Sequence, residues 1–336
     1  MFIFSKMLTF VDLFCGGGFG GRGAVSGGGT PLLAVDSWDL ATETYKDNFP
    51  ESDVICSPIE DLDPYTLAKE YSPDVLLTSP ECTSHSIARG AKPGTEKSRE
   101  TAIGILPWLD AMSPRWLIVE NVNRMKKWNR HNELVDTIEH AGYKVSDLFL
   151  NAADFGTPQA RKRMFLICDR EGSIITEDDL KAIHRKKRKI ARQILSKEGA
   201  YNSTPLYKPG RAQATIERAE RAIKELGKQQ DFIIVYYGSD YAGGWQSLDA
   251  PLRTVTTIDR FGLVTWKNRK PYLRMLQPDE LLRAMGANKH KLTQGSRREK
   301  VKLCGNGVCS PVLEIIFKKI NQIVQEENEL TLLSKS

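Results

Sequence analysis

The chain has 336 residues, 40% hydrophobic and 27% charged, with a formal net charge of +6. That length supports one large core with a smaller lobe, and the mild positive balance suits a polyanionic partner without demanding one. Its six cysteines form no CxxC pair, no His/Cys cluster has zinc-ligand spacing, and no run approaches ~18 apolar residues, so neither a metal nor a membrane is expected. Reduced thiols, and a start (Met1 to Lys6) too short for a signal segment, lead us to expect a soluble cytoplasmic protein.

The stretch Leu8 to Phe14 is rich in strand formers and stops at Cys15-Gly16-Gly17-Gly18-Phe19-Gly20-Gly21. A strand, a glycine turn and then a helix let backbone approach a nucleotide-like cofactor where side chains would collide. Glycine clusters also serve ordinary tight turns, so context has to strengthen this one. A second strand is predicted at Pro31 to Val35, ending in Asp36-Ser37-Trp38-Asp39, where a carboxylate could accept from ribose hydroxyls. Asp39 could equally cap the predicted helix Leu40 to Asn48.

Asp53 to Cys56 reads as a third strand and Asp74 to Thr78 as a fourth, running into Pro80-Glu81-Cys82-Thr83. A cysteine at the exit of a buried strand is either a nucleophile or a small buried hydrophobe. The basic, glycine-containing segment Ser84 to Arg99 is expected to be a mobile loop. A helix (Glu100 to Met112) then leads to a fifth strand, Trp116 to Val119, ending at Glu120-Asn121-Val122. Strands separated by helices predict a mostly parallel sheet, and Cys82 and Glu120 would share its ligand-binding edge.

After a helix near Asn132 to Ala141 and the apolar run Leu148 to Leu150, the strand-like stretch up to Ile167 places Gln159, Arg161 and Arg163 on one face by alternation. A solvated edge strand would show the same charge pattern. Periodicity weakens from Asp169. The block His184-Arg185-Lys186-Lys187-Arg188-Lys189 is either a solvated face or a phosphate contact. An amphipathic helix is predicted over Arg211 to Lys228 and a strand over Phe232 to Tyr237. Arg253 and Thr254 lie where the main body resumes, Leu276 to Gly286 reads as a helix with Pro278 in its first turn, and a last helix is predicted over Val312 to Glu326. The expected domains are 1–168 (catalytic and cofactor-binding), 169–250 (recognition) and 251–336 (return to the catalytic domain, with the last helix packed on it).

Six blocks, in order, resemble the cytosine-C5 DNA methyltransferase family over almost the whole chain outside the inserted lobe. They are Asp12 to Gly18, Cys82 with Ser86, Glu120-Asn121-Val122, Gln159-Ala160-Arg161-Lys162-Arg163, Arg253 to Thr257, and Gly305-Asn306-Gly307-Val308. The resemblance implies an α/β fold, a Rossmann-like S-adenosylmethionine-dependent methyltransferase sheet with an inserted small target-recognition domain. It implies methyl transfer to C5 of cytosine in duplex DNA at a specific sequence, through a Cys82 adduct at C6 of a flipped-out base. Glu120 would share a proton with ring N3, Arg163 would hold O2, and Arg161 would help position the site.

S-adenosylmethionine would be held by Phe14, Gly16, Gly18, Asn306 and Val308, and by Asp36, Ser37 and Trp38 after the second strand. Ser37 stands where the family usually has Glu, which leaves the ribose to Asp36. Pro58 replaces an acidic residue after the third strand, which leaves the adenine to Glu60 or Asp61. DNA contacts are expected from Ser86, Arg89, Gln159, Arg185, Lys186, Lys187, Arg188, Arg253 and Thr254. The family normally has Pro directly before the cysteine, where this chain has Glu81. A bacterial, archaeal or phage-encoded monomer is expected, any restriction endonuclease being a separate chain. The alternatives are a tRNA cytosine-C5 methyltransferase and a catalytically silent DNA-binding relative.

Overall fold

A computed structural model describes residues 7–80, 103–122, 131–184, 187–237 and 243–334. Its larger sheet is built from β1 (Leu8–Leu13), β2 (Gly29–Asp36), β3 (Asp53–Cys56), β4 (Val75–Thr78), β5 (Trp116–Val122), β6 (Lys144–Asn151) and β8 (Lys162–Asp169), with the two-residue β7 (Gln159–Ala160) just before β8. The order is β3-β2-β1-β4-β5-β8-β6. Pairs among β1 to β5 are parallel, and β8 runs antiparallel to both of its neighbours.

Period-two alternation explains why these apolar runs form buried strands. Leu8 and Phe10, Val75 and Leu77, and Trp116 and Ile118 enter one core, while Val11 and Leu13, Leu76, and Leu117 and Val119 enter the core on the opposite face. Helices α1 (Phe19–Ser26) and α2 (Asp39–Asn48) follow β1 and β2, as the sequence predicts. The final helix, Ser310–Leu333, is longer than expected and buries Val312, Leu313, Ile316, Phe317 and Ile320. The chain runs outward from β1 through β2 to β3, then crosses back to β4 on the other side of β1 and continues to β5, so the order of strand succession reverses between the parallel neighbours β1 and β4. Ligand crevices form at such switch points, beyond the strands' carboxyl ends.

A second sheet has the order β11-β10-β13-β14-β9. Its strands are β9 (Thr204–Pro205), β10 (Phe232–Val235), β11 (Trp245–Ser247), β13 (Phe261–Lys267) and β14 (Lys270–Met275), and helix Gln213–Leu226 covers it. Between them, β12 (Leu252–Arg253) leaves this sheet to pair in parallel with β7. The smaller sheet therefore runs to Met275, past the boundary expected at 250. Its antiparallel partners β13 and β14 follow the excursion at β12, and no break in apolar patterning marks them off. Among the described residues, no helix is long and apolar enough to cross a membrane.

Candidate active site

The glycine turn is shaped by three left-handed residues at alternate positions. Phe14, Gly16 and Gly18 have φ of 55°, 51° and 81°. A side chain at Gly18 would be strained by that backbone, and its Cβ would stand 2.8 Å from the Phe49 ring and 2.9 Å from the Tyr45 ring. The turn is braced from two sides. Asp36 accepts from the Gly16 amide at 2.8 Å and from the Trp38 amide at 2.9 Å. The buried His290 places Nε2 2.6 Å from the Gly17 carbonyl oxygen and lies against Phe19. Desolvation lowers the His290 pKa to about 4, so the ring is neutral and Nε2 is the donor to that carbonyl.

A small cleft opens beside the turn. Among its lining residues are Asp12, Phe14, Gly16, Asn306 and Val308. Asp12 is 2% exposed and its Oδ2 is without a hydrogen-bond partner. Burial raises its pKa well above the ordinary carboxylate value, and the nearby Asp36 adds to that rise. Ser37 and Glu60, both expected at the cofactor, are exposed, and Trp38 is half-buried beneath Lys302, whose Nζ is 4.1 Å from its ring centroid.

Beyond β4 the chain is anchored before it reaches Cys82. Ser79 donates from its amide to Leu13 O and from its hydroxyl to Phe14 O, and Asn121 Nδ2 donates to Pro80 O at 3.3 Å. Cys82, Ser86 and Arg89 lie outside the described residues, as do Arg185 and Lys186.

Glu120, at the far end of β5, is 8% exposed, and its Oε1 is 3.1 Å from Arg163 Nε. The pair is in ionic contact without hydrogen-bond alignment, since Glu120 Oε1 has no aligned donor. Burial raises the Glu120 pKa, while Arg163 and Arg161 act against that rise. The carboxyl is thus poised to hold a proton above the usual range.

The alternation at 159, 161 and 163 does not yield three contacts on a common ligand. Gln159 is fully buried: its amide donates to Ala284 O at 3.1 Å, and its Oε1 accepts from the Val255 amide at 2.8 Å. This corrects the expected DNA contact, because both ends of the side chain are bound inside the protein. Arg161 is buried too, donating at 2.9 Å to Val255 O and at 2.9 Å to Gly305 O, so it ties two segments together instead of facing an open site. Only Arg163 reaches Glu120. Nor is β8 an edge strand, since it lies between β5 and β6.

Of the remaining residues expected at DNA, Thr254 donates its hydroxyl to Ala160 O. Arg188 is exposed but ion-pairs with Asp154, its Nε 2.6 Å from Oδ1, and Lys187 is exposed. Arg253 is half-buried on β12. Sequence reasoning missed His290 and the brace it makes under the glycine turn, for His290 lies 273 positions from its partner Gly17 and belongs to no motif.

A family described as C-5 cytosine-specific DNA methylase matches residues 8–322. The Type II methyltransferase M.HgiDI of Herpetosiphon aurantiacus is 32% identical over 170 residues, covering 49% of this chain and 53% of that protein. The tRNA (cytosine(38)-C(5))-methyltransferase of Homo sapiens is 30% identical over 143 residues, covering 40% of this chain and 35% of that protein. The chain spans about half the length of the Type II relatives it matches. A solved structure from an E. coli prophage, described as a DNA modification methyltransferase, superposes with a TM-score of 0.70 at 15% identity, covering 95% of this chain and 99% of the other. That likeness concerns the fold.

Proposed function

Because the chain belongs to the C-5 cytosine-specific DNA methylase family, we propose that it methylates C5 of cytosine in duplex DNA at a specific sequence, with S-adenosylmethionine as methyl donor. The observation that carries this reading is the buried Glu120 carboxyl, its pKa raised, beside Arg163 at the ligand-binding edge of the sheet.

The cleft by the glycine turn suits a nucleotide-like cofactor, since nothing stands within 4 Å of where a Gly16 Cβ would lie, which leaves the backbone open to a ligand. Phe14, Gly16, Gly18, Asn306 and Val308 would hold it, and Asp36 would fix the turn. When bound, S-adenosylmethionine supplies an electrophilic methyl group on a sulfonium.

Cytosine C5 is a poor nucleophile until something adds to C6. The Cys82 thiolate takes that role, and the target base leaves the duplex stack to meet it. Glu120 holds the proton shared with ring N3 and so stabilises the enamine that develops. Arg163 keeps Glu120 in place and offers a guanidinium to the base oxygen. Loss of the C5 proton and elimination of the thiolate then release 5-methylcytosine. Protein inactive in both transfer and cofactor binding would say nothing about Cys82, so the Cys82→Ser variant is compared with wild type in cofactor binding as well as transfer.

The similarity to the human tRNA enzyme favours a second reading, methylation of a tRNA cytosine. The Type II methyltransferases among its relatives support the DNA reading, with the five-stranded second sheet and its helix as the lobe that would read bases. Labelled S-adenosylmethionine offered with unmethylated duplex DNA and, separately, with bulk tRNA tests the choice. Transfer to DNA that is lost in Cys82→Ser supports the proposal. Transfer to tRNA alone replaces it with the second reading, and transfer to neither, with cofactor binding intact, leaves a silent relative.

A further inference from the structure

Beside a shared apolar core and the Arg274–Glu280 ion pair, the second sheet is joined to the catalytic part through three consecutive residues, and each of them is gripped by hydrogen bonds. Arg253 donates its amide to Gln246 Oε1 at 2.9 Å, on the lobe side. Thr254 accepts on its carbonyl from the Tyr237 hydroxyl at 2.9 Å, again from the lobe, and donates its own hydroxyl to Ala160 O at 2.9 Å, on the catalytic side. Val255 is held on the catalytic side alone, by Gln159 through its amide and by Arg161 through its carbonyl.

Tyr237 lies just past the end of β10, half-buried, with its ring edge-on to Phe261 at 5.8 Å and 85°. Burial pushes the phenol up to about 12 against the opposing pull of Arg253 and Arg161, so it remains a neutral donor to Thr254. From Arg161 the chain enters β8 and reaches Arg163, the partner of Glu120, two residues on.

From this chain of contacts we infer that Tyr237 is a positioning residue that couples the seating of the smaller lobe on its target to the Glu120–Arg163 pair. The inference rests on the methyltransferase reading above. A lobe moving as it docks pulls Thr254 through the Tyr237 hydroxyl. Thr254 and Val255 are tied to residues 159–161, so the displacement is delivered to the start of β8. The ring of Tyr237 supports the lobe by packing, whereas its hydroxyl carries the link. Removing only the hydroxyl therefore separates the two roles.

The test compares wild type, Tyr237→Phe, Arg163→Lys and the double variant in methyl transfer from labelled S-adenosylmethionine to unmethylated plasmid DNA. Calorimetry on each protein reports cofactor binding. The expected result for Tyr237→Phe is a kcat about five- to tenfold lower, with KM for DNA and for the cofactor within about twofold of wild type, the signature of a loss felt after binding. In the double variant the two losses are expected to be non-additive, as they are for residues acting through one network. Unchanged kcat overturns the inference, as does a higher KM for DNA at constant kcat, which would make Tyr237 an ordinary DNA contact. Multiplicative losses, or a fall in cofactor affinity alongside kcat, also overturn it. A wild-type protein that transfers no methyl group to plasmid DNA overturns the underlying reading instead, and is recognised because all four proteins are then equally silent.

Discussion

Arg163 Nε stands 3.1 Å from Glu120 Oε1, where the antiparallel pairing of β5 with β8 brings Val122 opposite Arg163. Two opposed influences act on this carboxyl, and burial is the larger, so its pKa is raised in spite of both arginines. Arg163→Met removes the stronger opposing charge, and the carboxyl then holds its proton to still higher pH. Since the proposed step uses the protonated form, the limb of the kcat profile on which activity falls with rising pH should move upward. Glu120→Gln should cost about 10²- to 10⁴-fold in kcat and abolish that limb. The same shift fixes a sign for stability. A carboxyl whose folded pKa is raised weakens the fold as pH climbs from the unfolded value through the folded one. Glu120→Gln should therefore gain melting temperature relative to wild type at pH 8 and little at pH 4. A gain confined to acid pH would contradict the burial argument.

Arg161 is a brace. Its two 2.9 Å bonds join Val255 O to Gly305 O, and a Cβ on Gly305 would lie 2.4 Å from the Thr256 carbonyl carbon, so the two segments are in direct backbone contact. Arg161→Met keeps the volume of the side chain but leaves two carbonyls without their charged donor, a loss of about 3 kcal/mol if each such bond is worth ~1.5 kcal/mol. Gly305→Ala should disturb the same joint by steric overlap. Urea denaturation should show both variants destabilised, and the double variant less so than the sum. Additive losses would mean that Arg161 and Gly305 hold separate structures.

Much of the fold was legible because period-two alternation and abrupt strand ends are local signals. β1 and its glycine turn, β4, β5 and α2 fall where the sequence places them, within a few residues at their ends. The block around Gln159 was legible as a pattern, but the fate of each side chain was not. Gln159 and Arg161 find their partners at Ala284, Val255 and Gly305, more than 90 residues away, and only tertiary packing decides which of three residues on one face is left for the site. For the same reason the smaller lobe was bounded too early. β13 pairs with β10 and β14 pairs with β13, but β12, which comes before both in the chain, pairs with β7, and no local periodicity reports that excursion.

Asp36 illustrates how a residue expected to touch a ligand can also act from behind the loop. Both of its oxygens are engaged by backbone amides, those of Gly16 and Trp38. Asp36→Asn turns one acceptor oxygen into an NH2 group facing an N–H donor. The glycine turn should loosen, and S-adenosylmethionine affinity should fall about tenfold, which corresponds to ~1.4 kcal/mol. Titration calorimetry measures this without requiring turnover. An unchanged affinity would show that the turn keeps its shape without Asp36.

His290 gives the fold a dependence on acid. Buried against Phe19, with Nε2 2.6 Å from Gly17 O, it has a pKa lowered by desolvation from 6.5 to about 4. The unfolded chain takes up this proton near pH 6.5, whereas the folded chain resists until about pH 4. Across that window the unfolded state binds more protons, so stability is intact above the window and is lost as pH falls through it. A shift of that size corresponds to roughly 3 kcal/mol. His290→Gln retains a side-chain N–H that can reach the Gly17 carbonyl but cannot be protonated. Its melting temperature should therefore fall less than that of wild type between pH 6.5 and pH 4.5, even if it starts lower at pH 8. Because the carbonyl belongs to the glycine turn, cofactor affinity in wild type should weaken only as the pH nears about 4, where the folded ring takes up its proton, and hold in the variant. Parallel pH profiles for the two proteins would remove His290 as the cause.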